Sequence, residues 1–283
     1  MIDLKDIVRG IETLKPVAPV AVQLLDMAAD TNRSMDDMAG LIIMDPFITA
    51  NVLKACNSAY FGLSRKVDSV RDAIALLGLD HIVDLVLVGS ISTIYRHGSR
   101  VYGLGEGEIW RHAVTSAHIA KALAEKKRSA DDKHLIFTAA LLKDIGKLIL
   151  GRFVAFELEM INILVESKGY TFNEAEKETI GLSHEELGAS LAEKWAFSER
   201  MTYIIRNHHL SEEYARNDFA TTIVYLADII CMIMGVGTGV DGLAYRFYGE
   251  VLERLGFGEK DIHSIIAETG VKQNEINRLL RAF

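Results

Sequence analysis

Helical periodicity runs almost without interruption along this chain, and only three prolines occur in its 283 residues. Proline removes a backbone donor and breaks helix interiors, so its scarcity permits long helices, and no alternating strand pattern competes with them. The pattern predicts an all-α fold. Ser34 precedes Met35-Asp36-Asp37, an N-cap with acids in the first turn, where the helix dipole favours them. Asp45-Pro46 sets a second N-cap with proline at the first helical position, for a helix that stops at Gly62. Ser69 opens Val70–Leu77 ahead of Gly78, and Asp80–Tyr95 follows. Gly103, Gly105 and Gly107 then break the pattern. Beyond them helices are expected over Glu108–Lys127, Asp131–Arg152, Ala155–Ser167, Asn173–Ile180, Ser183–Trp195, Glu199–His209, Ala220–Met234, Ala244–Leu255 and Lys260–Ala282. The apolar faces on both sides of the break are wide. We therefore expect two packed helical lobes, residues 1–100 and 101–283, sharing one interface.

Several function classes fall away on charge and composition. A net charge of -8 lacks the concentrated basic face that nucleic acid requires. The one basic run, Lys126-Lys127-Arg128, is followed by Asp131 and Asp132 and reads as a solvated helix end. Cys56 and Cys231 lie far apart and form neither a disulfide framework nor a zinc spacing, which points to a reducing compartment. The N-terminus has no signal-peptide layout. The most apolar stretches, Ile82–Ile94 and Thr221–Val236, are too short for a bilayer and carry Asp84 and Asp228. A cytoplasmic protein without a membrane span is expected.

Those aspartates introduce the chemistry. Asp144 lies in the apolar run Ala140-Leu141-Leu142-Lys143-Asp144-Ile145, and Asp228 in Val224-Tyr225-Leu226-Ala227-Asp228-Ile229. An ionised carboxylate in such a setting is costly unless it is paired or binds a metal. His112 follows Trp110 near a helix start. His184 opens a helix with Gly188 one turn on, where a small residue lets another backbone approach. His208 and His209 are adjacent, about 100° apart on a helix, so at most one is expected to point straight into a given pocket. Imidazoles and carboxylates projecting inward from separate helices are how helical proteins hold divalent metals. His97, His118, His134 and His263 read as surface or packing residues; His118 is six positions from His112, about 240° round the helix.

The order His112, Leu-Leu-Lys143-Asp144-Ile-Gly-Lys, His184-x-x-x-Gly188, His208-His209 and Ala-Asp228 resembles the HD phosphohydrolase superfamily, in particular its HD-GYP branch. Within it, the first half resembles the HDOD domain. Asp45-Pro46 through Asn57-Ser58-Ala59-Tyr60-Phe61-Gly62 carries that domain's DP…L…NSAxxG signature, and Val70–Gly78 and Trp110-x-His112 agree with it. The resemblance runs from about Leu14 to Asp228. It implies an all-helical fold whose second lobe is an HD-like bundle. It also implies a bacterial signalling output module acting through a protein partner or a small ligand, and a divalent metal (iron, manganese, magnesium or zinc) on His112, Asp144, His184, His208, His209 and Asp228.

This chain departs from that pattern at two points. Lys143 stands where catalytic HD proteins have the histidine of the His-Asp pair, and Leu-Ser-Glu-Glu-Tyr after His209 replaces the Gly-x-Gly-Tyr-Pro segment associated with cyclic di-GMP hydrolysis. A protonated lysine has no lone pair for a metal. Its charge about 5 Å from a divalent ion is repelled by roughly 6–7 kcal/mol at an effective dielectric of about 20. The simplest expectation is that this ammonium stands in for the metal and pairs with Asp144 or Asp228. A binding module without hydrolase activity follows as the leading reading. A residual metallophosphohydrolase acting on a nucleotide or phosphoester, with Asp144 in the catalytic role, is the alternative.

Overall fold

The computed structural model describes residues 4–14, 16–28, 34–58, 60–96, 102–127, 132–242 and 244–282. Among them the chain is helical without a strand. The first helices are α1 (Leu4–Thr13), α2 (Pro19–Ala28), α3 (Met35–Ile43), α4 (Pro46–Cys56), α5 (Val70–Leu77) and α6 (Leu79–Arg96). After the glycine break come α7 (Glu108–Lys126), α8 (Lys133–Leu142), α9 (Lys147–Lys168), α10 (Phe172–Ile180), α11 (His184–Lys194) and α12 (Glu199–Arg206). A 3-10 turn (Glu213–Asn217) leads to α13 (Phe219–Ile233), α14 (Gly249–Leu255) and α15 (Glu259–Ala282). No single helix among the described residues is long and apolar enough to cross a membrane.

The local signals act as the sequence suggests. Ser34 and Asp37 form a reciprocal capping box at α3, and Asp45 accepts the amides of Phe47 and Ile48 at 2.9 and 3.0 Å. Asn57 ends α4 and does more than cap it. Its Nδ2 donates to the carbonyls of Leu53 and Val67, and its Oδ1 accepts the Val67 amide at 2.8 Å. The Asn57–Gly62 segment is thereby clamped to the chain ten residues on. One apolar core runs from Ile7 to Leu279; α7 is flanked by α8, α13 and α15, and α15 also packs on α4.

Of the helix boundaries that differ from the sequence expectation, three frame the polar centre; away from it, α4 ends at Cys56 and not Gly62, where Asn57 turns to bond Val67, and the helix expected over Ala155–Ser167 begins at Lys147. The helix expected over Asp131–Arg152 stops at Leu142, and Asp131 lies outside the described residues. Residues 143–146 form a tight turn, with Ile145 N bonding Leu142 O and Lys147 N bonding Asp144 O, before α9 begins. Asp144 thus sits in a turn, not in a continuous helix. Close backbone packing explains the break. A Cβ on Gly146 would collide with the His184 carbonyl oxygen and lie 2.9 Å from Gly188 N, so α11 approaches this turn backbone to backbone. Gly188 admits that approach, as its sequence position suggested. The helix expected over Glu199–His209 ends at Arg206, leaving His208 and His209 in a turn capped by Leu210 at φ 56°. The helix expected from Ala244 begins at Gly249, because side-chain ties hold the preceding loop: Tyr225 donates to Arg246 O and Lys147 to Asp241.

Gly146→Ala tests the backbone contact. We expect the substitution to lower the unfolding free energy by about 3 kcal/mol, the upper part of the range for overpacking a dense core. Urea denaturation measures it; a loss within experimental error of zero would show that α11 yields freely.

Candidate functional site

Five side chains from four elements converge on Asp144. His112 comes from the first turns of α7, Asp228 from the middle of α13, His184 from the N-terminus of α11, and His208 and His209 from the turn after α12. From Asp144, His112 Nε2 lies 3.6 Å, His184 Nε2 3.8 Å and His208 Nε2 3.9 Å. Ligand-type atoms fall into two groups of three, His112/Asp144/Asp228 and His184/His208/His209, each within 4.8 Å. Both adjacent histidines therefore face the centre, against the helical expectation, because the turn at 207–209 removes the 100° separation a helix would impose.

Lys143 fills the first group. Its side chain is fully buried, and its ammonium contacts the Asp144 carboxylate, Asp228 Oδ1 at 2.7 Å and His112 Nε2 at 3.1 Å. His112 Nε2 in turn lies 2.7 Å from Asp228 Oδ1, and its Nδ1 lies 2.8 Å from the Val236 carbonyl. A second lysine, unmarked by the sequence reading, brackets Asp144 from the other side. Lys147 Nζ reaches Asp144 Oδ1 at 2.8 Å, Asp241 Oδ2 at 2.6 Å and Tyr245 Oη at 3.3 Å. Burial opposes every one of these charges. The carboxylates outweigh it at Lys143 and Lys147, holding both ammonium groups above the ordinary lysine pKa. The lysines likewise outweigh it at Asp144 and Asp228, whose pKa values lie well below the usual carboxylate range.

The histidine group has a different chemistry. Burial pushes His208 down to about 3 and His209 well below its usual value, so both are neutral with lone pairs available. Burial also opposes charge on His184, but Glu176 overrides it and raises that pKa, accepting from His184 Nδ1 at 2.7 Å. His184 Nε2 and His209 Nε2 are 2.9 Å apart, so one proton joins the two rings. Tyr102 donates to Glu176, and Glu185 accepts the His209 amide at 3.0 Å and Asn173 Nδ2 at 2.6 Å. Glu176, Glu185, Tyr102, Asp241 and Tyr245 carried no sequence signal. Glu176 and Glu185 lie in helices and the others in loops, and the positions of all five depend on the tertiary fold. Lys147 stood in the recognised motif, three residues after Asp144, and its i+3 spacing could have flagged it.

A glycine-rich segment seals the centre. Gly237, at φ 61°, lies so close to α7 that a Cβ would sit 2.7 Å from His112 Cβ and 2.9 Å from Glu108 O. Val240 N donates to Tyr102 O at 2.8 Å. All six candidate residues are at most 6% exposed. The remaining histidines lie elsewhere. His134 bonds Asp80 at 3.1 Å, His263 is exposed beside Glu259, His118 faces a separate cavity, and His97 is outside the described residues. Both cysteines are free and buried.

Fold and site together define a helical protein in which a lysine ammonium fills one of two clusters of histidine and aspartate ligand atoms. The HDOD domain family model matches residues 14–211, and the chain belongs to that family. An HDOD domain protein of unknown function from Geobacter sulfurreducens has the same fold, with a TM-score of 0.73 and 24% identity over 99% of each chain. A Marinobacter aquaeolei protein, provisionally described as a signal transduction protein, superimposes with a TM-score of 0.74 and 19% identity, over 99% of this chain and 65% of its own. A provisionally described phosphohydrolase from Shewanella amazonensis gives 0.67 and 20%, over 98% and 97%. An uncharacterised protein of Treponema pallidum is 26% identical over 185 residues, 62% of this chain but only 33% of that longer protein.

Glu185 offers a pH test of the buried network. Burial raises its carboxyl to about 7. A group whose folded pKa is raised stabilises fully below its unfolded value and loses that contribution as pH rises. The window here is about pH 4.5 to 7, with a slope of at most about 1.4 kcal/mol per pH unit. Glu185→Gln should gain stability relative to the parent across that window. Parallel denaturant–pH profiles for the two proteins would refute this assignment.

Proposed function

We propose that this HDOD protein is a bacterial, cytoplasmic regulatory module that acts by binding a protein partner and does not hydrolyse phosphoesters. The observation that carries the reading is Lys143. Its ammonium occupies the space among His112, Asp144 and Asp228 that a metal would need. Those three side chains do not fit a divalent ion while the lysine is there, since the repulsion of roughly 6–7 kcal/mol at about 5 Å only grows at closer range. The burial of all six residues further supports function by association, because Asp144, 1% exposed, offers no surface to a phosphoester. The division into an N-terminal lobe of residues 1–100 and an HD-like lobe of 101–283 belongs to this reading. So does the exposed apolar corner formed by Ile43, Met44 and Phe47 between α3 and α4, a feature typical of protein-binding surfaces.

A second reading is favoured by a specific observation at the histidine group. His208 Nε2 is buried without a hydrogen-bond partner, 3.9 Å from Asp144 Oδ1, and His208 and His209 are neutral. Nitrogen-rich donors of this kind fit zinc or iron better than magnesium. A single ion held there by His184, His208 and His209 would supply Lewis acidity, with Asp144 beside it, and would make the chain a residual metallophosphohydrolase.

Turnover separates the readings. We expect no hydrolysis of cyclic di-GMP or simple nucleotides above background with added manganese. Robust activity lost in Asp144→Ala would overturn the regulatory reading.

The lysine itself is tested by replacement. Lys143→His removes one charge and adds a ligand, so divalent-metal affinity should rise at least tenfold, about 1.4 kcal/mol. Melting temperature should then respond to manganese or iron more than in the parent. Lys143→Met removes the charge without adding a hard ligand. Equal metal affinity in all three proteins would show that Lys143 does not keep the ion out.

A further inference from the structure

The long helix α9 carries a second apolar face that the core does not use. Leu150, Val154, Ile161 and Leu164 are buried against the bundle. Phe156, Met160 and Ile163 instead stand in solvent, at 87%, 49% and 47% exposure. Spacings of four and three residues place these three within about 60° of one another round the helix, as one stripe along two turns. Phe153, half-buried, continues the stripe one turn back. Single exposed apolar residues are ordinary on a protein surface. An aligned run of large ones marks a contact face.

The edges of the stripe are acidic. Glu159 and Glu166 lie along one side and Glu157 along the other, and none of the three makes an ion pair or a side-chain hydrogen bond. Between Phe153 and Ser167 the helix has no cation; Arg152 and Lys168 stand at the two ends, and Lys168 lies over the Tyr170 ring. The apolar corner between α3 and α4 differs in this respect, because Asp36 pairs with Arg71 and Asp45 caps Phe47 and Ile48. A second copy of this chain would bring the same three glutamates to the contact and no cation between them. An anionic lipid surface would be repelled by the same carboxylates. A helix with apolar residues at matching spacing, and lysine or arginine beside them, satisfies both the stripe and its edges.

We propose that the Phe156–Ile163 face of α9 docks an amphipathic helix of a partner protein, with its apolar stripe packed on Phe156, Met160 and Ile163 and its basic side chains paired with Glu157, Glu159 and Glu166. The proposal rests on the reading of this chain as a partner-binding module, and adds the surface and the chemistry of the partner. It holds whether or not Lys143 keeps a metal out. Because α9 begins at Lys147, a helix seated here would lie on the element that carries the second lysine of the polar centre.

Fluorescence anisotropy on the full chain tests this, with a synthetic three-heptad peptide carrying leucine at a and d and lysine at e and g, in about 0.15 M salt. Saturable one-to-one binding is expected, at least tenfold tighter than for the same peptide with glutamate at e and g. Phe156→Gln/Ile163→Gln keeps the net charge and the helix propensity, and should weaken binding at least tenfold while melting as the parent does. Glu159→Lys/Glu166→Lys should reverse the preference between the two peptides. Absence of saturable binding to the parent would overturn the proposal. So would equal affinity in Phe156→Gln/Ile163→Gln, which would leave charge alone as the attraction. Dimerisation of the parent abolished by that variant would assign the face to a second copy, and co-sedimentation with phosphatidylglycerol vesicles abolished by it would assign the face to a membrane; either result overturns the proposal. Phosphoester turnover is measured separately, so a failure here and a failure of the regulatory reading remain distinct.

Discussion

A lysine ammonium buried between two carboxylates holds the centre of this protein together. Lys143 has no exposed surface, and its charge is the largest influence opposing burial at both Asp144 and Asp228. Losing one member of such a buried pair typically costs 3–5 kcal/mol, because the remaining charges stay desolvated (about that range). Asp144 is doubly committed, with Lys143 on one oxygen and Lys147 on the other. Lys147 extends the network to Asp241, and so ties the turn before α9 to the segment that covers the site. The closed shape of the centre is therefore an electrostatic consequence of where its cations sit.

Backbone contacts make that arrangement possible. Gly146 and Gly188 let α11 approach the 143–146 turn, which brings His184 within 3.8 Å of Asp144. Gly237 lets the covering segment reach α7, where the Val236 carbonyl pairs with His112. A side chain at Gly146 or Gly237 would collide with backbone and part the elements by more than the hydrogen bonds tolerate. Packing density and polar geometry here set each other.

Much of this was legible from residues alone. The caps at Ser34, Asp45 and Ser69 are local and behave as local rules require. Asp144 and Asp228 announced themselves as carboxylates in apolar runs, and the charge of Lys143 made pairing with them the simplest outcome. What sequence periodicity could not register was where helices stop for tertiary reasons. The apolar periodicity resumes beyond 143–146 and brings no proline to 207–209, so the turns were not expected; the approach of α11 and the positive φ at Leu210 mark them. That is why His208 and His209 were expected to diverge and instead converge. The supporting acids Glu176 and Glu185 lie in ordinary amphipathic helices, where a charged residue normally faces water.

A fixed cation differs from a metal in one respect that bears on function. A metal ion exchanges with solution, and its ligands lose their compensation whenever it leaves, so the fold depends on metal supply and on pH through ligand protonation. Lys143 is covalently tethered and held charged by Asp144 and Asp228. It compensates the same carboxylates permanently, without a vacant coordination position and without Lewis acidity toward water. The neutral histidines His208 and His209 keep lone pairs, but they face a carboxylate already claimed by two ammonium groups. Any ion drawn to the histidines must compete with Lys143 and Lys147 for Asp144. The lysines thus weaken the second group as well as filling the first, and their ion pairs tie α7, α13 and the turn before α9 together.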